Sequence, residues 1–143
     1  MINLLNKSER ERIVSAIHQA ECSTSGEIRV HIESICKEEV LDRATYLFET
    51  LEMHKTAQRN GVLFYVAIKN RQFAILGDSG VNTVVAPDFW ENIKETMTEF
   101  FKKGDFDGGL EKGILMAGEQ LKTHFPYSNN DKNELPDEIS FGK

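Results

Sequence analysis

A chain of 143 residues with 40% hydrophobic content is long enough to bury one core without disulfides or a structural metal, and too apolar to remain disordered. Its formal net charge of −6 argues against binding the phosphate backbone of a nucleic acid and suits cations or basic partners, although solubility alone also accounts for a mild acidic excess. The two cysteines, Cys22 and Cys36, form no Cys-x-x-Cys pair, so a thiolate zinc site is not expected, and no stretch approaches the roughly 20 apolar residues of a membrane helix.

Ser8-Glu9-Arg10-Glu11 reads as a capping box, and Ile13, Ala16, Ile17 and Ala20 follow at helical spacing. A helix is predicted over residues 9–21, ended by Ser23-Thr24-Ser25-Gly26. Over residues 27–34, Ile28, Val30 and Ile32 alternate with Arg29, His31 and Glu33, the pattern of a strand with one buried face. Residues 38–53 return to helical period through Leu41, Ala44, Leu47, Phe48 and Leu51. Residues 61–68 are almost continuously apolar and rich in β-formers, as in a central strand covered on both faces. A polar turn leads to a third strand over 73–76, antiparallel by its short connection, and Gly77-Asp78-Ser79-Gly80 stops it. Pro87-Asp88 opens a further helix, with Asp88 as cap, Glu91 completing the box, and Trp90, Ile93, Met97 and Phe101 on its apolar face. Residues 102–109 read as a loop, and a last helix over 110–124 turns Leu110, Ile114, Ala117 and Leu121 inward. Residues 1–125 then form one domain, followed by a polar, loosely held tail over 126–143.

The order α-β-α-β-β-α-α makes the first two strands parallel with a right-handed crossover. It predicts an α/β fold, a three-layer α/β/α sandwich around a small mixed sheet. The first two strands start at one edge of this sheet and the third ends there. Three loops should therefore meet: Ser25-Gly26-Glu27, Arg59-Asn60-Gly61 and Gly77-Asp78-Ser79-Gly80. Glycine lets a ligand approach the main chain, and Glu27, Asn60, Asp78 and Ser79 carry oxygen donors. Arg59 either holds a phosphate there or pairs with Glu27 as a salt bridge.

A second acidic stretch is Gly104-Asp105-Phe106-Asp107-Gly108-Gly109. Two aspartates two apart can turn both carboxylates onto one hard cation, although the later ligands of an EF-hand are missing. The plainer reading is that Asp107 caps the last helix and Asp105 makes an Asx turn. His31 and His54 are candidate acid–base or ligand groups, but no His-x-x-x-His pairing supports a zinc site. There is no phosphate-binding loop, nucleophile elbow or kinase signature, and no histidine base lies near Ser79 in the sequence.

Taken in order, Gly26-Glu27-Ile-Arg-Val, Arg59-Asn60-Gly61-Val-Leu-Phe-Tyr-Val, Arg71-Gln-Phe-Ala-Ile-Leu-Gly77-Asp78-Ser-Gly80, and the stretch from Phe101 to Gly109 with Gly113 after it resemble the TPM domain family, which includes the thylakoid lumen 18.3-kDa protein, Psb32 and MOLO-1. The resemblance covers about residues 8–125 and implies an α/β/α sandwich, calcium or similar cation binding and, from the plant lumen member, acid phosphatase activity. By position it places the metal ligands at Asp78, Asp105 and Asp107. Typical members are secreted or membrane-anchored, whereas this sequence shows neither signal peptide nor anchor, so a cytoplasmic monomer is expected, with no nucleic-acid or membrane partner. Arg59-Asn60 also stands where many members have an acidic residue. Two functions follow. In one, a calcium-binding module uses the cation to order its loops for a protein partner. In the other, a metal-dependent phosphoester hydrolase uses metal-bound water as nucleophile.

Overall fold

The computed structural model describes residues 5–126 and 139–142. Helix α1 (Lys7–Glu21) leads into β1 (Glu27–Glu33), α2 (Val40–Thr50), β2 (Gly61–Ala67) and β3 (Gln72–Gly77). The short α3 (Ser79–Asn82), then α4 (Phe89–Lys102), α5 (Phe106–His124) and the two-residue β4 (Ser140–Phe141) complete the order.

The sheet runs β3-β2-β1-β4. β1 and β2 are parallel, with Glu27 opposite Gly61 and Glu33 opposite Ala67, and β3 returns antiparallel, with Gly77 opposite Val62. This is the predicted sheet with one strand added. Every residue of β2 is buried, because Val62, Phe64 and Val66 face one helical layer while Leu63, Tyr65 and Ala67 face the other. Helices α1, α4 and α5 make the first layer, packing Ile13, Ile17, Ile93, Met97, Ile114 and Leu121 on the sheet. α2 makes the second, with Ala44, Leu47 and Phe48 over β2 and β3. The three-layer mixed α/β architecture expected from the element order is therefore present.

Several boundaries and caps differ from expectation. The first helix starts at Lys7, not Glu9, because Asn6 is its cap: Asn6 Oδ1 accepts the Glu9 amide at 2.8 Å and Glu9 returns the bond to the Asn6 amide at 2.9 Å. Ser8 thus falls inside the helix. Asp88 precedes α4 but makes no side-chain cap bond. The sequence 106–109, read as loop, is the first turn of α5, since Asp105 caps it and accepts the Gly108 amide at 3.0 Å. Gly77-Asp78-Ser79-Gly80 does more than turn: Asp78 caps the single-turn α3. The polar-patterned face of β1 is covered too, for His31 and Glu33 are buried and Arg29 is partly buried.

Of the tail read as loose, residues 127–138 lie outside the described residues. Ser140 and Phe141 pair with His31 and Ile32 as a parallel edge strand. Among the described residues, no helix is long and apolar enough to cross a membrane.

Candidate functional site

The three loops predicted to meet are joined by backbone hydrogen bonds. The Glu27 amide donates to the Asn60 carbonyl at 3.2 Å, the Asp78 amide to the Gly61 carbonyl at 2.9 Å, and the Gly80 amide to the Arg59 carbonyl at 2.9 Å. Asn60 Nδ2 reaches the Ser25 carbonyl at 3.3 Å and Gln58 Nε2 the Ser25 hydroxyl at 3.3 Å. Gly80 is required by this crossing: a Cβ there would clash with the backbone carbonyl oxygens of Gln58 and Arg59. Arg59 itself has φ +52°, a left-handed conformation that non-glycine residues adopt at an energetic cost and that recurs at functional sites.

Charge at the junction is arranged around Asp78, which is 6% exposed. Arg59 Nε donates to Asp78 Oδ2 at 2.8 Å and Arg59 Nη2 to Asp78 Oδ1 at 2.9 Å, a two-point fork that fits a carboxylate. The bond to Asp78, with the carboxylate's charge, raises the Arg59 guanidinium above its ordinary value. Asp78 Oδ1 also accepts the Ser79 amide at 2.7 Å. The expectation that Arg59 pairs with Glu27 is corrected here. Arg59 forks onto Asp78, because its left-handed backbone and the Gly80 contact bring it to the end of β3. Glu27 is buried at the start of β1, and Ser79 is exposed in the first turn of α3. Asn60 is 1% exposed. Its amide is held by the Thr56 hydroxyl at 3.1 Å, but its Oδ1 is buried with no hydrogen-bond partner. A buried orphan acceptor is uncommon and calls for an explanation.

Asp105 and Asp107 are elsewhere. The C-terminal end of α5 meets the start of β1, where the Ser25 amide donates to the Phe125 carbonyl at 2.9 Å and Leu121 packs against Gly26. The helix has 19 residues and so rises about 28 Å to its other end. There Phe106 meets Phe101 at 5.2 Å and Phe101 meets Phe73 at 5.0 Å, near the beginning of β3. Asp78 stands at the end of β3, so the predicted ligands Asp78, Asp105 and Asp107 are split between opposite ends of the sheet and form no common site. The two aspartates serve α5 instead. Asp105 is the cap, the role assigned in the sequence to Asp107. Asp107, in the first turn, accepts from Arg12 Nη1 at 3.0 Å, while Glu111 accepts from Arg12 Nη2 at 3.0 Å. Asp105 lies 3.9 Å from the same guanidinium, which is raised above its ordinary value by Glu111 and then by Asp107. Among the described residues, no group of three or more His, Cys, Asp and Glu side chains is placed to hold a metal ion.

Of the two candidate histidines, His54 lies in the turn after α2, with Nδ1 buried and without a partner. His31 belongs to a buried network that periodicity misses. Its Nε2 is 3.0 Å from Glu33 Oε1 and its Nδ1 2.8 Å from the Ser140 hydroxyl. Glu33 also receives the Tyr65 hydroxyl at 2.6 Å and the guanidinium of Arg43. Burial alone would raise the Glu33 carboxyl, but the bonds from Arg43, Tyr65 and His31 hold it below its ordinary value. Burial pushes the His31 imidazole down, against the pull of Glu33, and raises the Tyr65 phenol.

The layers, the crossed loops and the glycine-rich edge define a small α/β/α domain with an acidic junction at one sheet end. The family model of the TPM domain matches residues 1–120, and the chain belongs to that family. It is similar over 99% of its length to the BA42 protein of the psychrophilic bacterium Bizionia argentinensis, with 44% identity, 98% of that chain covered and a TM-score of 0.92. The fold is shared with the N-terminal domain of a P. gingivalis protein, at 21% identity, TM-score 0.69, and 89% and 84% of the two chains covered. The N-terminal domain of the cg2496 protein of Corynebacterium glutamicum shares it at 15% identity, TM-score 0.64, with 82% and 74% covered. No curated protein matches the chain.

Proposed function

We propose that this TPM domain is a binding module that takes up a divalent cation, calcium or a similar hard ion, at the junction of its three loops. The observation that carries the reading is Asn60 Oδ1, a buried acceptor without a partner, in a junction where the backbone of Glu27 and of Asp78 is also joined and both residues are buried. A hard cation takes carboxylate, amide and backbone carbonyl oxygens together, so two carboxylates with Asn60 and loop carbonyls are a sufficient donor chemistry. Arg59 is the resident positive charge on Asp78. Its side chain is 52% exposed, so it can turn into solvent as the cation takes over the carboxylate. The exchange fixes the crossing of the three loops and changes the surface offered to a protein partner.

A phosphoester hydrolase at this edge would need Arg59 on the phosphate. Its Nε and Nη2 each donate to Asp78, so a phosphate would have to compete with that carboxylate for the guanidinium, which favours the binding reading. Thermal unfolding with and without calcium, magnesium or manganese tests the proposal. Binding at about 100 times the dissociation constant should stabilise the fold by roughly 2.7 kcal/mol. That gain should vanish in Asp78→Asn and survive in the double variant Asp105→Asn/Asp107→Asn. The absence of any shift at roughly millimolar ion, the weak end of protein calcium sites, would overturn it. Aryl phosphate hydrolysis that is lost in Asp78→Asn would replace the binding reading with the enzymatic one.

A further inference from the structure

The strand β4 is attached to the sheet through the buried network, with Ile139 just before it packed partly buried against the core. Among the described residues it forms two residue pairs with β1, His31 with Ser140 and Ile32 with Phe141. Two further bonds hold it: the Gly142 amide on the Ile32 carbonyl at 2.8 Å, and the Ser140 hydroxyl on His31 Nδ1. Phe141 is exposed. Gly142 lies so close to Glu33 that a Cβ would collide with its carboxylate. The terminal strand therefore rests on His31 and Glu33.

We propose that β4 is a strap released by protonation of His31. With Glu33 ionised, its carboxylate accepts from Nε2–H, which leaves the Nδ1 lone pair to accept the Ser140 hydroxyl. A second proton on the ring turns Nδ1 into a donor, and the Ser140 hydroxyl must reverse. The new charge sits where His31 is 4% exposed. The groups around it are fixed: Glu33 and Arg29 on its own strand, Tyr65 stacked on the ring from β2 at 5.9 Å, and Arg43 from α2. Cys36 adjoins Tyr65, and among the described residues β4 presents Ser140. Glu33 is already matched by Arg43, so it neutralises a second cation poorly, and Arg43 and Arg29 both oppose it. Burying an unmatched charge costs far more than the few bonds that hold a two-residue strand. Undocking β4 opens the Nδ1 side of the ring to water and leaves an unpaired strand edge on β1.

Amide hydrogen exchange on the full chain tests the strap, with each rate corrected for the intrinsic effect of pH. Between about pH 7.5 and about pH 5 the protection of Gly142 should fall by up to about tenfold per unit, the limit for one linked proton. Phe64 in β2 should keep its protection throughout. His31→Gln retains ring-sized hydrogen-bonding groups but does not titrate, and its Gly142 protection should be flat with pH. Ser140→Ala should lower Gly142 protection at neutral pH while the His31 ring still titrates by NMR. Equal Gly142 protection at both pH values in the unmutated protein would overturn the proposal. So would an undiminished pH dependence in His31→Gln.

Discussion

Gly80 and Arg59 show how single residues build the crossed loops. The Gly80 amide bonds the Arg59 carbonyl at 2.9 Å, and no room remains for a side chain. Gly80→Ala should lower stability by about 1–3 kcal/mol through overpacking against rigid backbone, read as a lower urea midpoint with unchanged slope. The buried network sets a pH dependence at the same scale. His31 is held below its ordinary 6.5 by burial, so the folded state binds fewer protons than the unfolded chain. Stability should fall as pH drops below 6.5 and go on falling until the folded-state imidazole is itself protonated. Glu33 is held below its ordinary 4.5; its contribution is present above that value and is lost as pH falls through the lower, folded-state one. Urea midpoints taken across this range should show a shallower slope in His31→Gln between about pH 6.5 and about pH 5, because the His31 contribution is gone and that of Glu33 is constant above its ordinary 4.5. Identical slopes would remove His31 from the account. Neither residue announces this in the sequence. Alternation assigns Arg29, His31 and Glu33 to one face of a strand, and only α2 and β4 determine that the face is covered.

At the scale of elements, α5 and its acidic first turn decide what Asp105 and Asp107 do. Asp105 caps the helix, and Asp107 and Glu111 share Arg12 of α1. Asp105→Ala should cost about 1 kcal/mol and Asp105→Asn only a few tenths, since asparagine caps as well as aspartate. Equal losses in the two variants, by chemical denaturation, would show that charge rather than capping is the role of Asp105. Arg12 is 42% exposed, so Arg12→Gln should cost only about 0.5–1 kcal/mol, and less at high salt. The sequence contained the chemistry of this end but not its register. A capping aspartate at residue 105 or at 107 satisfies the same local pattern, and two glycines before Leu110 read equally as loop or as a close helix contact. Here Gly109 is the contact, with Phe101 against it, as Gly113 is further on with Met97, while Gly108 lies against the capping Asp105. β4 was illegible for a different reason. Two residues between Ile139 and Gly142 carry no periodicity, and their pairing depends on His31 and Glu33, more than a hundred positions away.

At the scale of the molecule, strand order predicted the loop junction correctly because it follows from topology alone. Two parallel strands and an antiparallel return must bring Glu27, Asn60 and Asp78 to one edge, as the register of Glu27 with Gly61 and of Val62 with Gly77 records. The same topology separates Asp105 and Asp107 from that edge, because α5 spans the sheet and returns to β1 by its C-terminal end. A cation site drawn from resemblance alone joins these positions, whereas the geometry assigns them to opposite ends. The most direct test is a calcium titration of the isotopically labelled full chain followed by amide chemical shifts. The account predicts saturable shifts centred on Glu27, Asn60, Asp78 and Ser79, abolished by Asp78→Asn, with the amides of Asp105 and Asp107 unmoved. Shifts confined to the first turn of α5, or none at any edge residue, would contradict it.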